Sequence, residues 1–366
     1  MMIKFFAKII LSFFPNHLKE KILNDYHQSK RNSFTPNWDR NTNFYAKKKI
    51  KIGFVGAGNY SKFYLESLKS IKGVEVDSIL SKTGNNSSKL LNKYDIKRSY
   101  TDINKFMERK VDAYFIVSSS DSLFKNAKRL FRKGKPILME KPPGFNSSQT
   151  LELIEIAKKY KTFGVVALNR RFYSDLQNGL AMLADYGPVR GAILEVPEDI
   201  SNVREKNNLS KEEYENYFFR NSIHGFDTLR HIMGDVSNLK SLGNSNSKNN
   251  NRGLSAGAIV EHQNNLFSTI ITLWDTKPNY WRIKIIGERG FLEFSEKSIT
   301  KFTDQSLNTF FISENKIDKE FRKGNYMQTL SFLECINNKK PPKFPLCDLQ
   351  DSLKTMLFME EFNKYR

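Results

Sequence analysis

From Lys49 onward, apolar strand-like runs alternate with helical segments, and that alternation narrows the fold more than any other feature of the chain. Residues 50–55 read as a buried strand, and residues 60–71 carry Tyr60, Phe63, Tyr64, Leu68 and Ile71 at helical spacing. Residues 74–80 and 111–117 are further strands. Asp121 opens a helix whose buried face is Leu123, Phe124, Ala127, Leu130 and Phe131, and Gly134 ends it. Residues 136–139 form the next strand, Ser147 or Ser148 caps the next helix, and residues 164–168 form another strand. Such units stack into a parallel, doubly wound sheet.

Beyond about Tyr173 the pattern changes. Residues 189–196, 257–261, 266–274, 280–286 and 290–294 are strand-like and follow one another with only turns between them. The expected fold class is therefore α/β: an N-terminal Rossmann domain, then an α+β domain with an open mixed or antiparallel sheet. Residues 241–252 read as a mobile polar loop, and residues 327–336 and 349–362 as amphipathic helices. The expected division is a basic N-terminal extension and linker (1–48), the Rossmann domain (49–170), the α+β domain (171–345), and a C-terminal helix (346–366) returning to the first domain.

The 366 residues suffice for one or two cores. A net charge of +20 raises the question of nucleic acid, but no long Lys/Arg block with interleaved aromatics appears, so a nucleic-acid role is not expected. Cys335 and Cys347 are the only cysteines, which excludes a disulfide framework and points to a reducing, cytoplasmic compartment. No metal-type spacing is present, and no metal site is expected.

The first fifteen residues form an amphipathic pattern. Lys4, Lys8 and Ser12 share one helical face, Met2, Phe6, Ile9 and Phe13 lie opposite, and Pro15 ends the helix. Lys8 interrupts the apolar run and no small-residue cleavage site follows, so a signal peptide is not expected. With Lys19 and Lys21 nearby, residues 1–30 suit peripheral contact with the inner face of a membrane. Docking on another protein surface or a second subunit fits the same pattern.

In an open α/β sheet ligands bind at the carboxyl ends of the strands. Two motifs fall there. Gly56-Ala57-Gly58 follows the first strand and opens a helix. Gly56 permits a tight turn, and Gly58 lets the backbone approach a pyrophosphate at the helix N-terminus, with Asn59 and Tyr60 alongside. Glu140-Lys141-Pro142-Pro143 ends the strand 136–139. Lys141 can hydrogen-bond a substrate oxygen during hydride transfer, while Glu140 orients its neighbours on the cofactor side. Ser118 and Ser119, after the strand 111–117, are further cofactor contacts. Past the second strand stand Ser81, Lys82 and Thr83, with no carboxylate to hold a ribose 2′-hydroxyl or repel a 2′-phosphate. This favours NADP over NAD. His224 and Asp227, three apart on one side of a helix, suit general acid/base work. By itself such a helical pair is more often structural.

In order and spacing these motifs resemble the Gfo/Idh/MocA oxidoreductase family. Asn169-Arg170-Arg171-Phe172, Ser222-Ile223-His224-Gly225-Phe226-Asp227, Ile286-Gly287-Glu288-Arg289-Gly290 and Phe332-Leu333-Glu334 extend the likeness from about Lys49 to the C-terminus. The resemblance implies NAD(P)-dependent oxidation or reduction of sugars or sugar derivatives. It also implies homo-oligomers through the C-terminal sheet. It makes Lys141 the catalytic lysine and His224 the proton-transferring histidine, and puts Arg171 and Tyr173 near the substrate. Two departures matter. Members with an Asp-x-x-x-His site have aspartate where this chain has Arg220, which suits an anionic uronate or nucleotide sugar or else faces solvent. Ser119-Ser120-Asp121 replaces the family's usual Pro-Asn loop. The expected function is hydride exchange with a sugar or sugar nucleotide, in surface-polysaccharide synthesis. A non-catalytic cofactor-binding scaffold of a membrane glycan-assembly complex and an NAD-dependent glycosidase are the alternatives.

Overall fold

The computed structural model describes residues 44–199, 216–243 and 255–364. The amphipathic segment 1–30, most of the linker and most of the polar stretch 241–252 lie outside them.

The first domain alternates β1 (Ile50–Val55), α1 (Ser61–Ser70), β2 (Val74–Leu80), α2 (Gly84–Lys93), β3 (Arg98–Tyr100), α3 (Ile103–Met107), β4 (Ala113–Ile116), α4 (Ser120–Phe131), β5 (Ile137–Met139), α5 (Ser147–Lys159) and β6 (Gly164–Val166). A 3₁₀ turn at Asn169–Phe172 and α6 (Ser174–Asp185) lead to β7 (Val189–Glu198). Next come α7 (Tyr217–Asn221), α8 (Ile223–Met233), β8 (Val236–Gly243), β9 (Ser255–His262), β10 (Phe267–Trp274), β11 (Arg282–Gly287) and β12 (Gly290–Ser295). The remainder is β13 (Thr300–Asp304), β14 (Thr309–Ile312), α9 (Lys316–Glu320), α10 (Asn325–Asn338), β15 (Cys347–Asp348) and α11 (Leu349–Asn363).

Seven strands form the first sheet in the order β15-β6-β5-β4-β1-β2-β3. All its pairings are parallel except β15 with β6. Every residue of β4, β5 and β6 is buried, as continuous apolar strands with helices on both faces require. Because β1 lies between β2 and β4, its carboxyl end is where strand order reverses, the place that holds a ligand in such sheets.

The second sheet has eight strands, β14-β13-β12-β11-β7-β10-β9-β8, mostly antiparallel with β7 and β10 parallel. Burial alternates along β9 and β10, so one face packs on the core and the other is open. Ile193, Ile259, Phe267 and Ile271 stand on exposed positions of its strands. The chain then returns to the first domain. Cys347–Asp348 pairs with the edge strand β6, and the Glu360 carboxylate on α11 accepts from both the backbone N and the Oγ of Ser147, each at 2.6 Å.

Several local expectations are corrected. The helix from Ser147 is capped by Asn146, whose side chain accepts from Gln149 N at 2.9 Å. The helix read around His224 is α8, and the short α7, which was not read, precedes it and ends at Asn221. Residues 241–243, read as loop, complete β8. Helix α2 went unread because Gly-Asn-Asn-Ser-Ser-Lys-Leu-Leu-Asn-Lys has no apolar stripe and buries only Ser87.

Candidate active site

At the end of β1, Gly56 has φ +114°, and a Cβ there would sit 1.9 Å from the Val117 carbonyl oxygen. Only glycine fits this turn. Gly58 differs: a Cβ there would meet nothing within 4 Å, so its openness leaves room for a ligand rather than for packing. Asn59 and Tyr60 are exposed beside it, and Tyr60 makes no side-chain cap on α1. No side chain covers the start of α1, although Ser61 N and Phe63 N donate to Gly58 O and Tyr60 O at 3.0 and 3.2 Å. The Ser118 Oγ, at the end of β4, is enclosed without a hydrogen-bond partner among the described residues. Ser119 is exposed, its hydroxyl 3.3 Å from that of Ser122. An open turn, an uncapped helix start and an orphaned hydroxyl fit a dinucleotide.

The floor of the cleft comes from β5. Glu140 N donates to Ile116 O at 2.9 Å, continuing the sheet by one bond, and the Glu140 carboxylate accepts from the buried Tyr64 hydroxyl at 2.6 Å. Lys141 follows, its Nζ donating to the backbone oxygen of Arg220 at 2.8 Å. Burial pulls its pKa down to about 8, offset in part by Glu140. Opposite, from α8, His224 faces the same cleft, with Nδ1 enclosed and unpartnered among the described residues. Burial, reinforced by Arg170, Lys141 and Arg322, holds its pKa well below the ordinary imidazole value, so it is neutral at physiological pH.

Lys141, His224, Glu140 and Tyr60 therefore converge on one cleft. Other expected site residues do not. Arg171 is 1% exposed and makes a two-pronged pair with Asp227 at 2.8 and 2.5 Å, plus a bond to Asp351 of α11 at 2.5 Å. Its partners are the buried Asp227 and the partly exposed Asp351, and it does not line the cleft. Asp227, also 1% exposed, is committed to Arg171 and Thr355 and does not orient His224. Tyr173 is buried against Phe294, behind the Arg170 guanidinium 5.5 Å above its ring. Ser81 is turned inward, donating to Thr83 O at 2.7 Å and bonding Ser87 Oγ at 3.1 Å, while Lys82 and Thr83 are exposed beyond β2. Arg220 presents its backbone to Lys141, and its charge lowers the affinity of Lys141 for a proton.

Three charged groups were missed from the sequence. Arg170, not Arg171, lines the cleft, paired with Glu296 and bonded to Asn169 Oδ1 at 2.8 Å. Arg322 lines it from the segment before α10, stacked over Tyr60 and Phe63 at 5.9 and 5.3 Å. Among the described residues Arg322 has no carboxylate partner. Glu198, at the end of β7, is buried and receives hydrogen bonds from Asn221 and Ser222. The adjacent arginines Arg170 and Arg171 offered a signal, since a 3₁₀ turn sends neighbours in different directions. Arg322 and Glu198 carried none, because only tertiary folding brings them to Lys141.

The sequence profile of an oxidoreductase family with an NAD-binding Rossmann fold matches residues 50–167. An uncharacterized oxidoreductase, YrbE, of Bacillus subtilis (strain 168) is 25% identical over 195 residues, 51% of this chain and 54% of its own length. The match thus spans about half of that relative. Among solved structures, an oxidoreductase from Agrobacterium radiobacter in complex with NAD+, L-tartaric acid and magnesium superposes with a TM-score of 0.71 at 16% identity, covering 87% of this chain and 96% of its own. The WlbA dehydrogenase of Bordetella pertussis, in complex with NADH and UDP-GlcNAcA, gives 0.68 at 16% identity, covering 88% and 97%. At these identities the superpositions establish a shared two-domain fold.

Proposed function

From the match of residues 50–167 to the Gfo/Idh/MocA oxidoreductase profile we propose that the protein is an NAD(P)-dependent dehydrogenase or reductase acting on a carbinol or carbonyl carbon of an anionic sugar derivative. The carrying observation is the convergence of the Lys141 ammonium and the neutral His224 imidazole on the cleft beside the Gly56–Gly58 turn. A bound nicotinamide supplies the hydride acceptor or donor. Lys141 hydrogen-bonds the substrate oxygen and stabilises negative charge there. His224 takes up or returns the hydroxyl proton. Lys141 holds its proton at neutral pH and His224 does not, so the two divide the acid and base roles between them.

The substrate class follows from charge. Lys141, Arg170 and Arg322 line the cleft, with Arg322 stacked on aromatic rings rather than paired with acid. A guanidinium so placed suits a carboxylate or phosphate. This supports a uronate or nucleotide sugar, and the nucleotide sugar held by the Bordetella dehydrogenase is in keeping with it. Arg171, Tyr173 and Asp227 act as the packed support behind Arg170 and α8. The reading extends to a cytoplasmic place in surface-polysaccharide synthesis, which a deletion strain with unchanged surface glycan would refute.

Between the two cofactors the structure supports NADP. Past β2 the exposed residues are Lys82, Thr83, Gly84, Asn85 and Asn86, with no carboxylate among them, at the open start of α2. A panel of nucleotide sugars, uronates and free sugars with NAD(H) and NADP(H), followed at the nicotinamide absorbance, tests substrate and cofactor together. Turnover only with neutral free sugars would overturn the substrate class, and tighter binding of NAD would overturn the cofactor preference.

Two assemblies complete the proposal. The open face of the second sheet, carrying Ile193, Ile259, Phe267 and Ile271, supports a homo-oligomer. Among the described residues no helix is long and apolar enough to cross a membrane, and residues 1–30 are proposed to lie on its surface. Sedimentation with and without anionic liposomes checks both. A monomer mass refutes the first, and equal flotation of the full chain and a chain lacking residues 1–30 refutes the second.

A further inference from the structure

We propose that Glu198 is a positioning residue of this site, a carboxylate supplied by the second sheet that fixes the corner carrying His224 and balances the Lys141 ammonium. It closes β7, in register with Trp274 of the parallel strand β10, and is 4% exposed. Its two oxygens are held by different residues: Asn221 Nδ2 donates to Oε2 at 2.5 Å, and Ser222 Oγ donates to Oε1 at 3.1 Å. Both donors belong to the corner where α7 ends and α8 begins. One residue before them is Arg220, whose backbone oxygen accepts from Lys141 Nζ. Two residues after them is His224. A single carboxylate thus grips the middle of a five-residue segment whose ends position both reacting groups.

Charge gives Glu198 its second role. Among the described residues no lysine or arginine lies at ion-pair distance from it, and only neutral donors touch it. The charged and titratable groups around it come from every neighbouring element. Lys141 stands at the end of β5, Arg220 and Tyr217 on α7, and Glu296 after β12. Asp199 is next in the chain, paired with Lys277 at 3.4 Å. Burial pushes the Glu198 carboxyl up to about 7, opposed by the Asn221 and Ser222 bonds and by Lys141. Lys141 has been brought down to about 8. Between about pH 7 and about pH 8 both groups are charged and Lys141 favours the Glu198 carboxylate, while Glu140 is the acid that acts most on Lys141 itself.

The inference rests on the oxidoreductase reading for its consequence in turnover, but its direct test needs no turnover. Limiting acetylation by acetic anhydride across pH 6–10, followed by peptide mass spectrometry, reads the apparent pKa of Lys141 in the full-length protein. Glu198→Gln keeps the shape, because Asn221 can turn its amide over, and removes the charge. It is expected to lower the apparent pKa of Lys141. Asn221→Ala, at a half-buried position where folding is safer, strips one donor and is expected to move Lys141 the same way by less. Lys141 profiles that superimpose on the wild type in either folded variant overturn the proposal. Once a turned-over substrate is in hand, Glu198→Gln is expected to lower kcat roughly tenfold to a hundredfold, with little change in KM or cofactor affinity. Glu198→Asp, which keeps the charge, is expected to recover part of the lost rate. Absence of any nicotinamide turnover in the wild type would defeat the oxidoreductase reading while leaving the Lys141 result to stand or fall alone.

Discussion

Lys141→Ala is expected to lower turnover by about 10²–10³-fold, the scale of losing one preorganised donor to a developing oxyanion. Cofactor affinity is expected to change little. The two parts of the expectation come from different elements. Dinucleotide binding rests on the turn after β1 and the start of α1, where Gly56 is fixed by the Val117 carbonyl and Gly58 is open. Lys141 sits at the end of β5, two strands away, and its Nζ contacts the Arg220 backbone oxygen. Removing it leaves the turn untouched. The same lysine sets a pH dependence. Its ammonium, with a pKa of about 8, is charged below that value, so activity that needs the charge falls as pH rises through about 8. Rate measurements across pH 6–10 and titration of cofactor fluorescence check the two halves. Wild-type rates in the variant, or loss of cofactor binding, would remove Lys141 from the proposed role.

What could be read before folding was whatever lay in one element or at its end. β1, the glycine turn and the Lys141 strand end each announce themselves within about ten residues, because a buried parallel strand is a continuous apolar run and its exit needs special backbone. His224 was legible for the same reason, as a helix residue in a motif. Arg171 was misplaced because its burial depends on Asp351, 180 residues later in the chain. Nothing near Arg171 reports that a carboxylate will return to meet it. Its neighbour Arg170 inherits the cleft, held by Glu296, 126 residues away. Glu198 escaped notice as one acid at the end of a strand of the second domain. Charged side chains at a domain junction are ordered by tertiary pairing, and local periodicity says little about which of two adjacent arginines turns outward.

That buried pairing yields a second large effect, on stability. Asp227→Ala is expected to destabilise the fold by about 3–5 kcal/mol, the usual consequence of removing one partner of a buried ion pair. Arg171 and Asp227 are each 1% exposed, and two bonds join them. Asp351 remains on Arg171 at 2.5 Å, yet it also serves Arg230 at 2.5 Å and cannot replace both bonds. The cluster ties three segments together: the 3₁₀ turn after β6, helix α8 beneath His224, and helix α11 from the end of the chain. Loosening it therefore frees the helix that carries His224. A denaturant titration followed by far-ultraviolet circular dichroism measures the loss as a fall in midpoint with unchanged slope. Pairing Asp227→Ala with Arg171→Met removes the stranded charge and is expected to recover part of the stability, which a kinetic role for Asp227 would not produce. If instead Asp227→Ala keeps the wild-type midpoint and loses only activity, the aspartate serves the chemistry rather than the frame.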